Sequence, residues 1–171
     1  MNEVLSITSV EASAPDEPVT VDEVKEWANI DHTDDDALLF TMIIGARQDV
    51  EAETGIKLVP NTVTVVVKAM CDERLYLPYV PLITEATPLS VADDLTDAEI
   101  DADGYKVKGG GIQLFAAGTY AVTYTTGGTT QALNELIKML VAYRYNNRGD
   151  GESGMPDEIK QRLLKYQKVW L

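Results

Sequence analysis

Apolar side chains recur at helical spacing in two consecutive segments between residues 20 and 55. Val21, Val24, Trp27 and Ala28 share one face of the first. Leu38, Leu39, Met42, Ile43, Ala46 and Val50 form a stripe on the second, with Arg47, Asp49, Glu51 and Glu53 off it. The boundaries carry their own chemistry. Thr20 can accept from an orphan backbone N–H one turn in, and Glu23 can reach back to complete a capping box. The first helix is expected to stop near Asn29-Ile30. An acidic loop, Asp31-His32-Thr33-Asp34-Asp35-Asp36, leads into the second. Thr33 or Asp34 is placed to cap it, and Asp35 and Asp36 put negative charge at the positive end of its dipole. Gly55, after Thr54, supplies the left-handed residue that closes a helix, and Ile56 can fold back toward Val50.

Beyond Pro60 the period changes to two. Asn61 to Lys68 is rich in β-branched residues and predicts a strand. Leu75-Tyr76-Leu77 predicts a shorter one. Pro78 and Pro81 keep the following residues out of a central ladder position. Leu89-Ser90-Val91, Tyr105-Lys106-Val107, Ile112 to Phe115 and Thr119 to Thr125 are further candidate strands. Between them lie an acidic loop over residues 93–104 and turns at Gly109 and Gly118. Helical spacing returns with Ala132, Leu133, Leu136, Ile137, Leu140, Val141 and Tyr145, capped by Thr129 or Thr130. Pro156 sits near a first helical position of a last segment that carries Ile159, Leu163, Leu164 and Tyr166. Residues 1–19 alternate weakly (Val4, Ile7, Val10) and then turn polar. They predict an arm with room for one short edge strand.

The pattern predicts an α+β protein. A small helical bundle is built from residues 20–58 and 129–171, an antiparallel β element is inserted over 59–128, and an N-terminal arm spans 1–19.

The residues that end and begin these segments resemble the head–tail connector (adaptor) proteins of tailed phages. The run from Val19 to Leu39 looks like the family's opening of a capped helix and an acidic loop. Glu51-Ala52-Glu53-Thr54-Gly55 looks like the end of its long helix. Val122-Thr123-Tyr124-Thr125-Thr126-Gly127 is similar to its Val-x-Tyr-Thr-x-Gly strand end. Leu136 to Arg148 resembles its third helix, with the closing Tyr145-Asn146-Asn147-Arg148. Pro156 to Tyr166 resembles the Pro-x-x-hydrophobic-x-x-Leu-Leu-x-Tyr segment, and Leu75-Tyr76-Leu77-Pro78 with Pro81-Leu82 resembles a Leu-Pro-x-x-Pro turn. The motifs fall in the family's order over residues 19–171. The arm and the acidic residues 91–103 have no counterpart in the pattern.

The resemblance implies a structural virion protein made in the bacterial host cytoplasm and placed in the neck. It would form a ring of about twelve copies under the portal, with a tail-side neck or tail-terminator protein below. DNA would pass through without sequence-specific binding. It implies no enzyme activity, no cofactor and no membrane. Within that frame Asp31, Asp34, Asp35, Asp36, Arg47, Arg144 and Arg148 are the channel or inter-subunit candidates. Arg162, Lys165, Tyr166, Lys168, Trp170 and Leu171 are the portal-contact candidates. Truncation after Gly154 is expected to remove portal binding and leave the bundle folded.

Charge agrees with that frame. The chain has 171 residues, 14 Lys plus Arg against 28 Asp plus Glu, and a formal charge of −14. Residues 1–130 carry a net −16 and residues 131–171 a net +2. An acidic body opposes gripping nucleic acid, where phosphate neutralisation drives binding, and suits a wall that DNA slides past. Solubility alone also accounts for it. The one cysteine, Cys71, excludes an intrachain disulfide framework and a cysteine-based zinc site, and fits a reducing compartment. The first residues lack a signal-peptide pattern, and no apolar run approaches the roughly 20 residues of a membrane helix.

Other chemistry is weaker. Asp101-x-Asp103-Gly104 lacks the spacing of an EF-hand loop and reads as an Asx-type turn. His32 among carboxylates lacks zinc or facial-triad spacing and reads as loop chemistry. Lys108-Gly109-Gly110-Gly111 lacks the rest of a phosphate loop. A helix-turn-helix reader would not present Asp34, Asp35 and Asp36 to phosphates. The competing functions are a ligand-binding β-module on a helical support and a metal-dependent enzyme using the Asp/His loop.

Overall fold

The computed structural model describes residues 3–11, 16–71, 73–79, 90–108, 111–148 and 154–167. The chain divides into two compact units. One comprises Met1–Pro15 and Val59–Gly128, the other Asp16–Leu58 and Thr129–Leu171.

The helical unit begins with α1 (Val21–Ala28). Its capping box is formed: the Glu23 N–H donates to Thr20 Oγ1 at 3.2 Å, and the Thr20 N–H donates to Glu23 Oε2 at 2.8 Å. Asn29, at φ 55°, takes the left-handed turn that ends the helix. α2 (Asp36–Thr54) is closed by Gly55 at φ 68°, whose N–H donates to the Glu51 carbonyl at 2.9 Å. Thr130 caps α3 (Gln131–Asn146), and Pro156 precedes α4 (Asp157–Leu163). The four helices close over one core that includes Val24, Leu39, Ile43, Val50, Ile137, Leu140, Ile159 and Leu163. Each such aliphatic side chain contributes roughly 1.5–3 kcal/mol on burial.

The helices depart from the expected pattern in their apolar faces and in one cap. Trp27, Leu38 and Leu164 are substantially exposed, and so is Ala132. Each sits at the margin of its helical stripe, where the neighbouring helix no longer covers it. Capping also differs: Asp35, not Thr33 or Asp34, occupies the N-cap of α2, and its side chain makes no capping bond.

Among the described residues the sheet unit holds two antiparallel sheets. The first has the order β1-β2-β7-β4, with β1 Glu3–Glu11, β2 Asn61–Ala69, β4 Ser90–Asp93 and β7 Gly118–Thr126. The second has the order β3-β6-β5, with β3 Arg74–Tyr76, β5 Tyr105–Lys108 and β6 Gly111–Leu114. β2 and β7 pair along their whole length, from Asn61 opposite Thr126 to Ala69 opposite Gly118. Burial alternates along both, so Val63, Val65, Val67, Tyr120, Val122 and Tyr124 point inward to meet Leu75, Ile112 and Leu114. Inside this core the Tyr124 hydroxyl donates to the Pro78 carbonyl at 2.7 Å, and burial pushes its pKa upward. Gly127 cannot be replaced freely: at φ 133°, an added Cβ would lie 2.3 Å from the Val59 carbonyl oxygen.

At the N-terminus the edge strand for which the alternation left room is present and longer than expected. Glu3–Glu11 forms a nine-residue strand that runs along β2 from Glu3 opposite Lys68 to Glu11 opposite Asn61. Asp101 to Gly104 forms a 3-10 turn, with the Gly104 N–H donating to the Asp101 carbonyl at 2.8 Å.

Candidate assembly surfaces

Five of the charged side chains picked out by the sequence, Asp35, Asp36, Arg47, Arg144 and Arg148, pair with other residues of the helical unit. Asp35 is the centre of one group. The Tyr145 hydroxyl donates to Asp35 Oδ2 at 2.6 Å, and the Arg148 guanidinium approaches the same oxygen at 3.1 Å. Arg148 also stacks over the Tyr145 ring, 4.3 Å from its centroid, and His32 Nε2 lies 3.5 Å from the Tyr145 hydroxyl. These contacts tie the start of α2 to the end of α3. The Tyr145 hydrogen bond, then that of Arg148, holds the Asp35 carboxyl below its ordinary pKa. Tyr145, and then Asp35, raise that of Arg148.

Asp36 pairs with Lys25 at 2.9 Å, linking α2 to α1. Arg144 pairs with Asp49, linking α3 to α2. Lys138 lies over the half-exposed Trp27 ring, 5.6 Å from its centroid.

Arg47 departs from the expected channel or inter-subunit position. It is 1% exposed, enclosed by the helical unit. Its Nε is 2.9 Å from Glu17 Oε2, and its NH1 is 3.2 Å from Glu51 Oε1. Glu51 also accepts from the Leu58 N–H at 2.8 Å and faces Lys57 Nζ at 3.4 Å. Two acids and two bases thus neutralise one another at the core margin. An Arg with no solvent exposure has no surface to offer DNA or a neighbouring subunit.

What remains outward is smaller. Asp31 and Asp34 are exposed, with no hydrogen bond or ion pair among the described residues. On α4, Arg162 and Glu158 make an exposed pair at 2.7 Å. Lys160 and Lys165 point to solvent, and Leu164 is 59% exposed beside them. Tyr166 packs partly against the unit's own core. Lys168, Trp170 and Leu171 lie outside the described residues.

Sequence reasoning missed three features. It assigned Tyr145 to the apolar face without its hydroxyl partner. It did not connect Glu17 with Arg47, although Glu51 at four residues' spacing was a visible signal. It left Lys138 unpaired with Trp27.

A sequence model of the "Phage gp6-like head-tail connector protein" family matches residues 18–74. No curated protein matches the chain. Among solved structures, the fold is similar to a chain of the neck of an empty GTA particle, computed with C6 symmetry. The TM-score is 0.72 at 19% identity, covering 96% of this chain and 97% of that one. It is also similar to a chain of the virion of a native gene transfer agent (GTA) particle. There the TM-score is 0.71 at 18% identity, over 95% and 96% of the two chains. Residues 18–74 thus resemble the phage gp6-like head-tail connector proteins, and the fold is similar to that of a gene transfer agent neck chain along nearly its whole length.

Proposed function

We propose that this chain is a structural subunit of a virion neck, a connector that links the DNA-filled head to the tail. The observation that carries the reading is a connector-family match over residues 18–74 on a fold that aligns over 96% of the chain. The finer reading is a ring of about twelve copies beneath the portal, with a tail-side neck or terminator protein on the other face. Twelve is compatible with the C6 symmetry of the related neck. The net charge of −14 supports a channel that DNA passes without sticking.

Within that ring, Asp31 and Asp34 are the acidic side chains placed to face the channel or a neighbour. Asp35, Asp36, Arg144 and Arg148 act one step back, by fixing the helices that carry them. The portal contact falls to the exposed side of α4 (Lys160, Arg162, Leu164, Lys165) with residues 168–171. Tyr166 supports that surface from beneath.

Native mass spectrometry of the full chain, alone and mixed with its portal protein, tests the reading. A closed ring of about a dozen copies, or a portal complex of matching symmetry, is expected. A chain that stays monomeric and ignores the portal would overturn it.

A further inference from the structure

The two edges of the larger sheet are built differently. At the β4 edge the chain turns back on itself: Ala92 bridges Glu99, and the Ile100 N–H donates to the Val91 carbonyl at 2.7 Å. Asp93 caps that turn by accepting from the Leu95 and Thr96 N–H groups at 3.1 and 3.0 Å. This edge is therefore closed to another strand.

Among the described residues the β1 edge has no such cover. β1 pairs with β2 on one side only. A bulge interrupts its register between Val4 and Ser6, but Ser6 to Glu11 then pairs regularly. That run contains no proline, no lysine and no further bulge, the usual devices for blunting an edge. Leu5 is 51% exposed and Ile7 47%. Register places Ile7 opposite the buried Val65, so it stands on the core-facing side of the sheet and still meets solvent. An aliphatic side chain there, beside unpaired backbone groups, fits an incoming strand.

Charge decides which strand. β1 carries Glu3 and Glu11 and no base. In an antiparallel self-pairing centred on Ile7, Glu3 would oppose Glu11 of the other copy at both ends, a like-charge arrangement that opposes pairing. The second sheet offers the complement. β5 is one of its edges, carries Lys106 and Lys108 without an acidic residue, and exposes Val107 at 42%. Every copy thus bears one acidic and one basic edge, the head-to-tail arrangement that closes rings rather than dimers.

We infer that the free edge of β1 takes the β5 edge of a second copy of this chain. The inference deepens the ring reading and rests on it for the presence of neighbouring copies.

The test uses the full chain with Cys71→Ser. Val107→Cys is combined in turn with Ser6→Cys, Ile7→Cys and Thr8→Cys. Oxidation should give a ladder of covalent multimers for at least one pair and none for the single substitutions. In parallel, Lys106→Glu with Lys108→Glu, both on the β5 strand, should weaken assembly at least tenfold by sedimentation. Adding Glu3→Lys and Glu11→Lys should restore it. Rings that form without a β1–β5 ladder, and ignore the charge reversal, would overturn the edge assignment and leave the ring reading standing. Cross-links only between β1 strands would overturn it in favour of self-pairing. No multimer of any variant, with or without portal protein, would remove the ring reading and this inference together.

Discussion

Asp35 and Tyr145 stand 110 positions apart and share a 2.6 Å hydrogen bond, with Arg148 on the same carboxylate oxygen. The pair uses the acidic loop for internal fixation. Because the folded-state pKa of Asp35 is lowered, its contribution is complete above the ordinary aspartate range and is lost as pH falls through the lower folded value. Tyr145→Phe should lower the urea midpoint at pH 7 by more than it does at pH 2.5. A difference that does not shrink on acidification would mean that Asp35 is not the relevant partner.

Removing Arg47 should be among the costliest single changes in the helical unit. Arg47→Ala takes the guanidinium from Glu17 and leaves Glu51 with Lys57 as its cation, a loss of about 3–5 kcal/mol. Arg47→Met combined with Glu17→Gln should recover most of it, since Glu51 then keeps Lys57 as its cation. Chemical denaturation of both variants reads the comparison directly.

Thr20→Ala deletes one half of a formed capping box and should cost about 1 kcal/mol. Thr20→Asn should cost much less. Equal loss in the two would show that the side-chain cap is not what holds the start of α1.

Gly127→Ala combines a left-handed backbone with a 2.3 Å approach to the Val59 carbonyl oxygen. A cost of roughly 1–3 kcal/mol is expected from the backbone alone, and the overlap adds to it. Gly128→Ala, with the same class of φ but open space, should be milder. Thermal melts of the pair separate conformational strain from collision.

Truncation after Gly154 should damage the fold itself, because Ile159 and Leu163 on α4 are 2% and 1% exposed. Ile159→Ala alone should cost about 2–5 kcal/mol. A fair probe of the portal contact ends the chain after Gln167. Its circular dichroism should match the full chain, while portal binding falls.

Local chemistry made much of the fold legible. Thr20 with Glu23, and Gly55 after Thr54, mark the helix ends through bonds that span only a few residues. The alternation from Asn61 to Ala69 records a face buried against one core. What escaped reading is non-local. Val4, Ile7 and Val10 alternate too weakly to declare a strand, and the β2 residues that order them lie more than fifty positions away. Asp35 and Arg148 stood out as charges, but no period along the chain says that they meet. Arg47 looked like a surface residue because it falls off the apolar stripe, and its partner Glu17 lies 30 positions away, on the segment that enters α1.

The interleaving of the two units has a consequence for synthesis. Asp16–Leu58 emerges from the ribosome early, yet its packing partner begins only at Thr129. At roughly 5–20 residues per second, α2 waits several seconds with its apolar stripe uncovered while the β strands are being made. β1 waits as well, since β2 must follow it out. The nascent chain is therefore most prone to aggregation midway through translation, and a chaperone that shelters residues 36–54 during that interval would raise the yield of folded subunits.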